Sequence, residues 1–489
     1  MSTSTPLLAG LAGLAAVSGA PAQAETPVWR LHDDHVLGTS LDVTIVARSQ
    51  AAAMMAAGAA RAEIDRLDSI LSGWRDDSEL SALNASTERV VSPELFAVIR
   101  AAEGWRETTD GAFDGRMGAT TAALRAGQGG EGRLIKASAV TLDPATRTVR
   151  RPDGVTFDLD GVAKGYVIDQ ALTAARAASP DVEGMMVDIG GDLRCWGRAP
   201  GGEGWRIGVA GACETADNAA PAAVLQLPVG AVAFSGRGAR DLTLDGETHS
   251  HIVDPRNGRP VTGTVAACVV APGAAQADAL STAFSAMTPE AAVAFADAAP
   301  GVETLIQTAD GRRLASAGWQ SLVDTRSGPR AELIRVADGP AWPKGFEVAV
   351  GYEIPKFAVG NYRSPYVVVW VTDENKALVR VITMLGDDAK YTPDNYVFWR
   401  RYGRKAPGLD AVAKPTRAPG KYGLVWDGKD QVGKPVAQGR YTIHVEAVRE
   451  HGGHSYTSSD LDLRAAPTTA SIAGKDELGA ISLRYGKKK

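Results

Sequence analysis

Near residue 320 the periodicity of the chain changes, and that change constrains its fold more than any single motif. Before it, helical and strand patterns are mixed. Residues 50–72 are Ala-rich, with Ala60, Ile64, Leu67 and Leu71 at helical spacing. Further helices are expected from Ser92-Pro93 to about Glu107, from Gly161 to Ala178, from Asp278 past Ala286, and after Thr288-Pro289. Strands are expected on either side of a bend at Gly38, at Met185 to Ile189 and at Ala266 to Val270. No regular βαβ alternation links them, which predicts an α+β domain. After the change, helical periodicity almost vanishes. Strand-like runs follow at Phe346 to Tyr352, Tyr366 to Thr372, Ala377 to Met384, Gly423 to Trp426 and Gly439 to Arg449, with turn signals such as Asp427-Gly428 between them. That pattern predicts an all-β sandwich.

The expected organisation is a signal peptide over 1–24, an α+β domain over 25–322 and a linker over 323–345 with its boundary near Ser327-Gly328-Pro329. A β-sandwich over 346–465 and a poorly ordered polar tail over 466–489 complete it. The signal rests on the apolar stretch Leu7 to Ala16 and the small-residue site Ala22-Gln23-Ala24, although no Lys or Arg precedes the stretch. No other run is long and apolar enough to span a bilayer. The mature protein is expected in the periplasm, soluble unless an anchor upstream of the given start ties it to the membrane.

Composition excludes some classes. A net charge of −5 and the lack of a Lys/Arg-rich block give no nucleic-acid surface. The three cysteines, Cys195, Cys213 and Cys268, have neither C-x-x-C spacing nor an even count, so they read as isolated buried thiols rather than as a zinc site or disulfide framework.

Five motifs carry the chemistry, and each alone reads equally as a turn or helix start. Gly111-Ala112-Phe113-Asp114 is a glycine turn after a helix. Asp158-Leu159-Asp160-Gly161-Val162-Ala163-Lys164-Gly165 runs from an acidic strand end into a helix N-terminus, which favours anions, and adds the charge of Lys164. Val187-Asp188-Ile189-Gly190-Gly191-Asp192 ends a buried strand in two glycines. Ser235-Gly236 is followed by His249-Ser250-His251-Ile252-Val253-Asp254-Pro255, without the G-x-S-x-G elbow of a serine hydrolase. In Ala277-Asp278-Ala279-Leu280-Ser281-Thr282, Asp278 and Thr282 share a helix face and offer hard oxygens suited to Mg²⁺.

Taken in order, with Leu37-Gly38-Thr39 and Asp77-Ser78-Glu79-Leu80-Ser81 ahead of them, these motifs resemble the ApbE family of FAD:protein FMN transferases over about residues 28–322. The resemblance implies that FAD is the substrate, that FMN is joined through its phosphate to a Thr or Ser of an extracytoplasmic acceptor bearing an (S/T)-G-A-(S/T) motif, and that AMP leaves. It implies Mg²⁺ held by Asp278, Thr282 and the carbonyl of Gly161. FAD contacts carried over are Leu37, Trp74, Ala112, Phe113, Asp114, Asp158, Lys164 and Ile252, with His251 and Asp254 as candidates to orient or deprotonate the acceptor hydroxyl. The sequence departs from the family pattern at Trp74 (often Tyr), at Phe234 (usually Thr), at Gly115-Arg116-Met117-Gly118 (no tryptophan) and at Asp160 (commonly Gly or Ser). A non-catalytic FAD-binding or delivery protein, or an FAD pyrophosphatase, is the alternative.

The second half resembles an uncharacterised domain found with ApbE-type enzymes, and its W-D-G…G-x-Y part is similar to the Ig-like domain of flagellar hook-capping proteins. At Asp410 to Thr416, Lys414 and Pro415 replace the Gly and Ala of an acceptor motif, so the domain is not expected to carry flavin itself.

Overall fold

Leu37 (φ 49°) and Gly38 (φ 74°) both adopt positive φ. Two such residues make the tight turn whose twist suits an antiparallel hairpin. In this computed structural model the described residues are 26–126, 140–211, 221–236, 241–244, 247–324, 340, 342–357, 364–386, 394–403, 413–414, 416–431, 433–449, 452–464 and 466–488. The turn joins β1 (Val28–Val36) to β2 (Thr39–Ala47). An antiparallel sheet then continues through β3 (Val182–Ile189), β4 (Asp192–Gly197), β5 (Gly230–Gly236), β6 (Thr264–Ala271), β7 (Glu303–Thr308) and β8 (Arg313–Ala315). Its spatial order is its chain order, so this eight-stranded sheet is a meander.

The long connections carry the helices. Between β2 and β3 lie α1 (Gln50–Leu71), α2 (Glu79–Asn84), α3 (Pro93–Thr108), α4 (Gly118–Arg125) and α5 (Asp160–Ala178). Between β6 and β7 lie α6 (Ala274–Ala286) and α7 (Pro289–Ala298). Starts follow local chemistry. Ser49, Ser92 and Thr288 each accept an N–H of the first turn, and Pro93 and Pro289 stand just inside the helices they open.

Both faces of the central strands are covered, which is why every residue of β6 is buried. Ala231, Ala233, Ala267 and Val269 pack into the core that also holds residues of α1, α5 and α6. The alternate residues Val232, Cys268 and Val270 pack with the hairpin Trp205–Val209 and Ala223–Leu227. Cys195 and Cys268 are buried free thiols; Cys213 lies outside the described residues. So do the signal stretch 1–24, the boundary at Ser327-Gly328-Pro329 and most of the segment 410–415.

The C-terminal half is built of strands in two sheets. These are β9 (Phe346–Ile354), β10 (Tyr366–Asp373), β11 (Leu378–Leu385), β12 (Ala413–Lys414), β13 (Gly420–Trp426), β14 (Arg440–Val448), β15 (His454–Asp462), β16 (Thr468–Ile472) and β17 (Ile481–Lys487). One sheet runs β13-β9-β17-β16 and the other β12-β11-β10-β14-β15, and their inner faces share one apolar core. The expected polar tail is corrected here. Residues 468–472 and 481–487 are strands, and β17 sits between β9 and β16 with Ile481, Leu483 and Tyr485 buried. Alternation decides the fold of this segment, whereas its polar composition suggested disorder. A short helical segment, Tyr396–Phe398 continuing to Gly403, also interrupts the strands.

Candidate active site

A meander brings alternate strand ends to one edge. The end of β1, the start of β2, the end of β3, the start of β4, the end of β5 and the start of β6 lie at the same end of the sheet, and the turns Leu37-Gly38-Thr39 and Gly190-Gly191 and the segment Ser235-Gly236 sit there. The turn Gly190-Gly191 has φ values of 62° and 92°. A Cβ at Gly190 would stand 2.5 Å from Thr39 Oγ1, and Gly190 N–H donates to Ser40 O at 3.0 Å. Only glycine fits this close approach, which joins the Leu37-Gly38-Thr39 turn to the Gly190-Gly191 turn.

The crossing of α5 and α6 is tighter still. A Cβ on Gly165 would lie 2.3 Å from Ala274 O, so the two backbones are in direct contact. Helix α6 has no side-chain cap from its own N-cap residue, Gly273. Asp169 of α5 supplies one: its carboxylate accepts Ala274 N–H at 2.8 Å and Ala275 N–H at 3.1 Å, and it pairs with Arg194 at 2.8 Å. This contact fixes the start of α6, the helix that carries Asp278 and Thr282.

Three motifs meet at Gly161. A Cβ there would be 3.0 Å from Thr282 Oγ1 and 3.2 Å from the Phe113 ring. Asp278 is buried and accepts Gly165 N–H at 2.9 Å. Burial first, then the charge of Asp192, raises its carboxyl well above the usual range, against the lowering effect of Lys164 and that N–H. The Lys164 ammonium lies 2.5 Å from Asp192 Oδ2, while Asp192 Oδ1 accepts Phe234 N–H at 3.0 Å. A buried carboxylate beside a threonine hydroxyl and a helix-start glycine is a hard-oxygen set lacking positive charge, and it fits a small divalent cation that keeps water or phosphate ligands. Among the described residues no group of three or more His, Cys, Asp or Glu is arranged to hold a metal.

The other carried-over residues fall into two groups. Around the start of α5, Asp158 accepts Thr121 Oγ1–H at 2.8 Å, and Arg125 stands 3.6 Å from it. Trp74 is 70% exposed and its indole N–H donates to Asp160 at 3.1 Å. Ala112 and Phe113 are buried. Asp114 is bonded by Arg116 N–H at 2.9 Å and Arg106 Nε–H at 3.2 Å; burial nevertheless raises its carboxyl. Leu37 packs at the edge of the helix-side core. Ile252 is buried beside the Ser250 turn, where its N–H donates to Ser250 Oγ at 3.1 Å.

His251 and Asp254 differ sharply. Asp254 is held by its own loop: Arg256 bonds both carboxylate oxygens, at 2.9 and 3.0 Å, and Asn257 donates at 3.1 Å. Arg256 also donates to Ala286 O near the end of α6. His251 is part-exposed, with Nδ1 3.5 Å from Asp241 Oδ1.

Two departures have a structural account. Phe234 points to the sheet face away from α6, whereas Ser235 turns toward α6 and bonds Ser281 Oγ at 2.7 Å. Arg116 is buried against Glu103, with Nε–H donating at 2.8 Å, and fills the segment after Asp114. On the Phe234 face a cavity of about 280 Å³ opens, lined by Met186, Asp188, Arg206 and Cys268 among others. Sequence reasoning missed the capping role of Asp169, and Arg125 and Asp241 altogether. Asp169 carried a signal, lying four residues after Gly165 on the same helix face; Arg125 and Asp241 carried none.

Comparison with known proteins identifies the family of each half of the chain. Residues 37–306 match the ApbE family, and residues 347–480 match a family described as predicted periplasmic protein (DUF2271). The chain is 29% identical over 313 residues to the FAD:protein FMN transferase of Treponema pallidum, covering 58% of this chain and 85% of that one. It is 28% identical over 329 residues to the enzyme of that name from Vibrio cholerae, covering 62% and 94%. The crystal structure of the ApbE protein from Thermotoga maritima superposes with a TM-score of 0.54 at 27% identity, covering 61% of this chain and all of that one. The flavin transferase ApbE from Vibrio cholerae shares the fold, with a TM-score of 0.51 at 22% identity over 60% of this chain and 99% of that one. No helix of the described residues is long and apolar enough to cross a membrane. With its family match spanning more than half of its length, the chain belongs to the ApbE family.

Proposed function

We propose that this chain is an FAD:protein FMN transferase of the periplasm, moving FMN from FAD to a Thr or Ser hydroxyl of an acceptor protein with an (S/T)-G-A-(S/T)-type motif. The observation that carries the reading is the meeting of Gly161, Thr282 and Asp278, with Lys164 close to the same buried carboxylates. In the reaction the acceptor oxygen attacks the phosphorus of the FMN half. The bond from that phosphorus to the bridging oxygen breaks, AMP leaves with that oxygen, and the hydroxyl proton passes to a base.

Asp278, Thr282 and the Gly161 carbonyl would hold Mg²⁺, which supplies positive charge against the pyrophosphate. Lys164 adds a second positive charge, held in place by Asp192. Phosphoryl transfer depends on such positioning and charge neutralisation more than on covalent chemistry by the protein. Leu37, Trp74, Ala112 to Asp114, Asp158 and Ile252 are assigned to FAD. Of the two candidate bases, His251 is favoured, because Asp241 can orient its ring. Asp254 is committed to Arg256 and Asn257 and is assigned to shaping the loop.

The test is to incubate the mature chain with FAD, Mg²⁺ and an acceptor domain, following AMP release and acceptor mass. An FMN-sized mass gain with stoichiometric AMP is expected, falling at least about 100-fold in Asp278→Ala. Free FMN without a mass gain would make the chain a pyrophosphatase. Intact FAD at every Mg²⁺ concentration would overturn the reading.

A further inference from the structure

Trp74 is the most exposed of the large hydrophobic side chains among the described residues, yet its geometry is fixed. Its loop is pinned by Arg75, which pairs with Asp68 at the end of α1 at 3.2 Å and with Asp77 at 2.9 Å. The indole N–H donates to Asp160 Oδ2 at 3.1 Å. The guanidinium of Arg125, from the last turn of α4, lies 4.4 Å over the indole ring. Nη2 of the same guanidinium stands 3.4 Å from Asp160 Oδ2 and 3.6 Å from Asp158 Oδ2. One carboxylate therefore holds both the edge of the ring and the cation lying on its face.

We infer that Asp160 and Arg125 are positioning residues that clamp Trp74 as a rigid stacking platform at the mouth of the site, setting affinity for the dinucleotide rather than the rate of transfer. A ring held at its edge and covered on one face has its other face free to stack on a flat heterocycle, and its orientation is set before the ligand arrives. Arg125 has a second effect. Asp158 and Asp160 together place two negative charges where an anionic dinucleotide must pass, and Arg125 offsets them. Asp160 precedes Gly161 and bonds Trp74 and Arg125. The departure at position 160 thus has a role at the ring, beside the negative charge it adds near Asp278.

This inference rests on the FMN-transfer reading, and the experiment separates the two. Steady-state transfer is measured against FAD concentration for the parent, Asp160→Ser, Asp160→Asn, Arg125→Met and Asp160→Ser/Arg125→Met, and direct FAD binding to each is measured by titration. Each single variant is expected to raise KM and Kd for FAD about three- to tenfold with kcat within about twofold. Asp160→Asn, which keeps an oxygen for the indole, should fall between the parent and Asp160→Ser. The double variant should raise KM by less than the product of the two single effects, because both residues hold one ring. If the parent transfers FMN but the variants keep its KM and Kd, the inference fails alone. A lowered kcat at unchanged KM, or fully multiplicative single effects, also overturns it. A parent that transfers no FMN overturns the functional reading itself.

Discussion

The β-sandwich and the sheet end of the α+β domain both bury charged groups, and they treat them differently. In the sandwich, Glu446 accepts Val397 N–H at 2.9 Å and Phe398 N–H at 2.8 Å, and pairs with His454 at 2.7 Å. Glu477 pairs with Arg449 at 2.9 Å and accepts Gly453 N–H at 2.7 Å. These buried acids are tied to donors on both oxygens and fasten segments to the sheets. At the sheet end, Asp278 and Asp188 are raised by burial and by neighbouring carboxylates, with Lys164 in partial compensation. A site that must receive a cation or an anionic ligand cannot satisfy its own charges fully beforehand. The sandwich has no such constraint, and its core closes on apolar alternation.

The largest expected effect tests the sandwich. Ending the chain after Arg464 removes β16 and β17 and uncovers β9. Burial of Ile481, Leu483 and Tyr485 is worth about 1.5–3 kcal/mol each, comparable in sum with the whole stability of a typical domain. The truncated sandwich should lose its cooperative unfolding transition, read by calorimetry. If the transition survives, those strands are accessory and the comparison fails on that side. The next effect tests the helix crossing. Gly165→Ala forces the backbones of α5 and α6 apart, which should cost about 3 kcal/mol and lower the melting temperature of the α+β domain by roughly 6–12 °C. FMN transfer should fall further than stability alone explains, because Gly161 and Asp278 move relative to each other. An unchanged melting temperature would show that the crossing has slack.

Much of this was legible beforehand, for identifiable reasons. Helices α3 and α7 were readable because Ser92-Pro93 and Thr288-Pro289 mark their starts, and α1 because Ala60, Ile64, Leu67 and Leu71 recur at helical spacing. The start of α6 was placed too late, at Asp278 instead of Ala274, because its cap comes from Asp169 of another helix. In strand β17, Ile481, Leu483 and Tyr485 alternate with polar residues, a period-two signal that the polar composition and basic end of the segment mask. The meeting of Gly161 with Thr282 followed from motif order through family resemblance, not from spacing. Arg125 was invisible because its role depends on Trp74 and Asp160, neighbours far along the chain.

The smallest expected effect probes the charge imbalance at the sheet end. Asp188 faces Asp42 across the strand pair and lies near Asp192; its listeners on the positive side are Lys164 and the Gly191 N–H, which donates to Asp188 Oδ1 at 2.8 Å. Burial is the main cause that pushes its carboxyl up to about 7. An acid whose folded pKa lies above its unfolded one holds its proton in the folded state over a pH range where the unfolded state has lost it. Folding stability therefore falls as pH rises from about 4 to about 7 and levels off above that. Asp188→Asn keeps an oxygen for Gly191 N–H and removes the titration. The variant should lie within about 1 kcal/mol of the parent near pH 4.5 and exceed it further near pH 8, by about 2 kcal/mol, because Asp188 is half-buried and lines the open cavity. Paired urea melts of the two proteins at both pH values read the difference and cancel the other titrating groups. A difference that does not grow with pH would show that Asp188 is solvated or paired in the folded protein. In that case the sheet end would be as well satisfied as the sandwich at this position, and the imbalance would be confined to the crossing of α5 and α6.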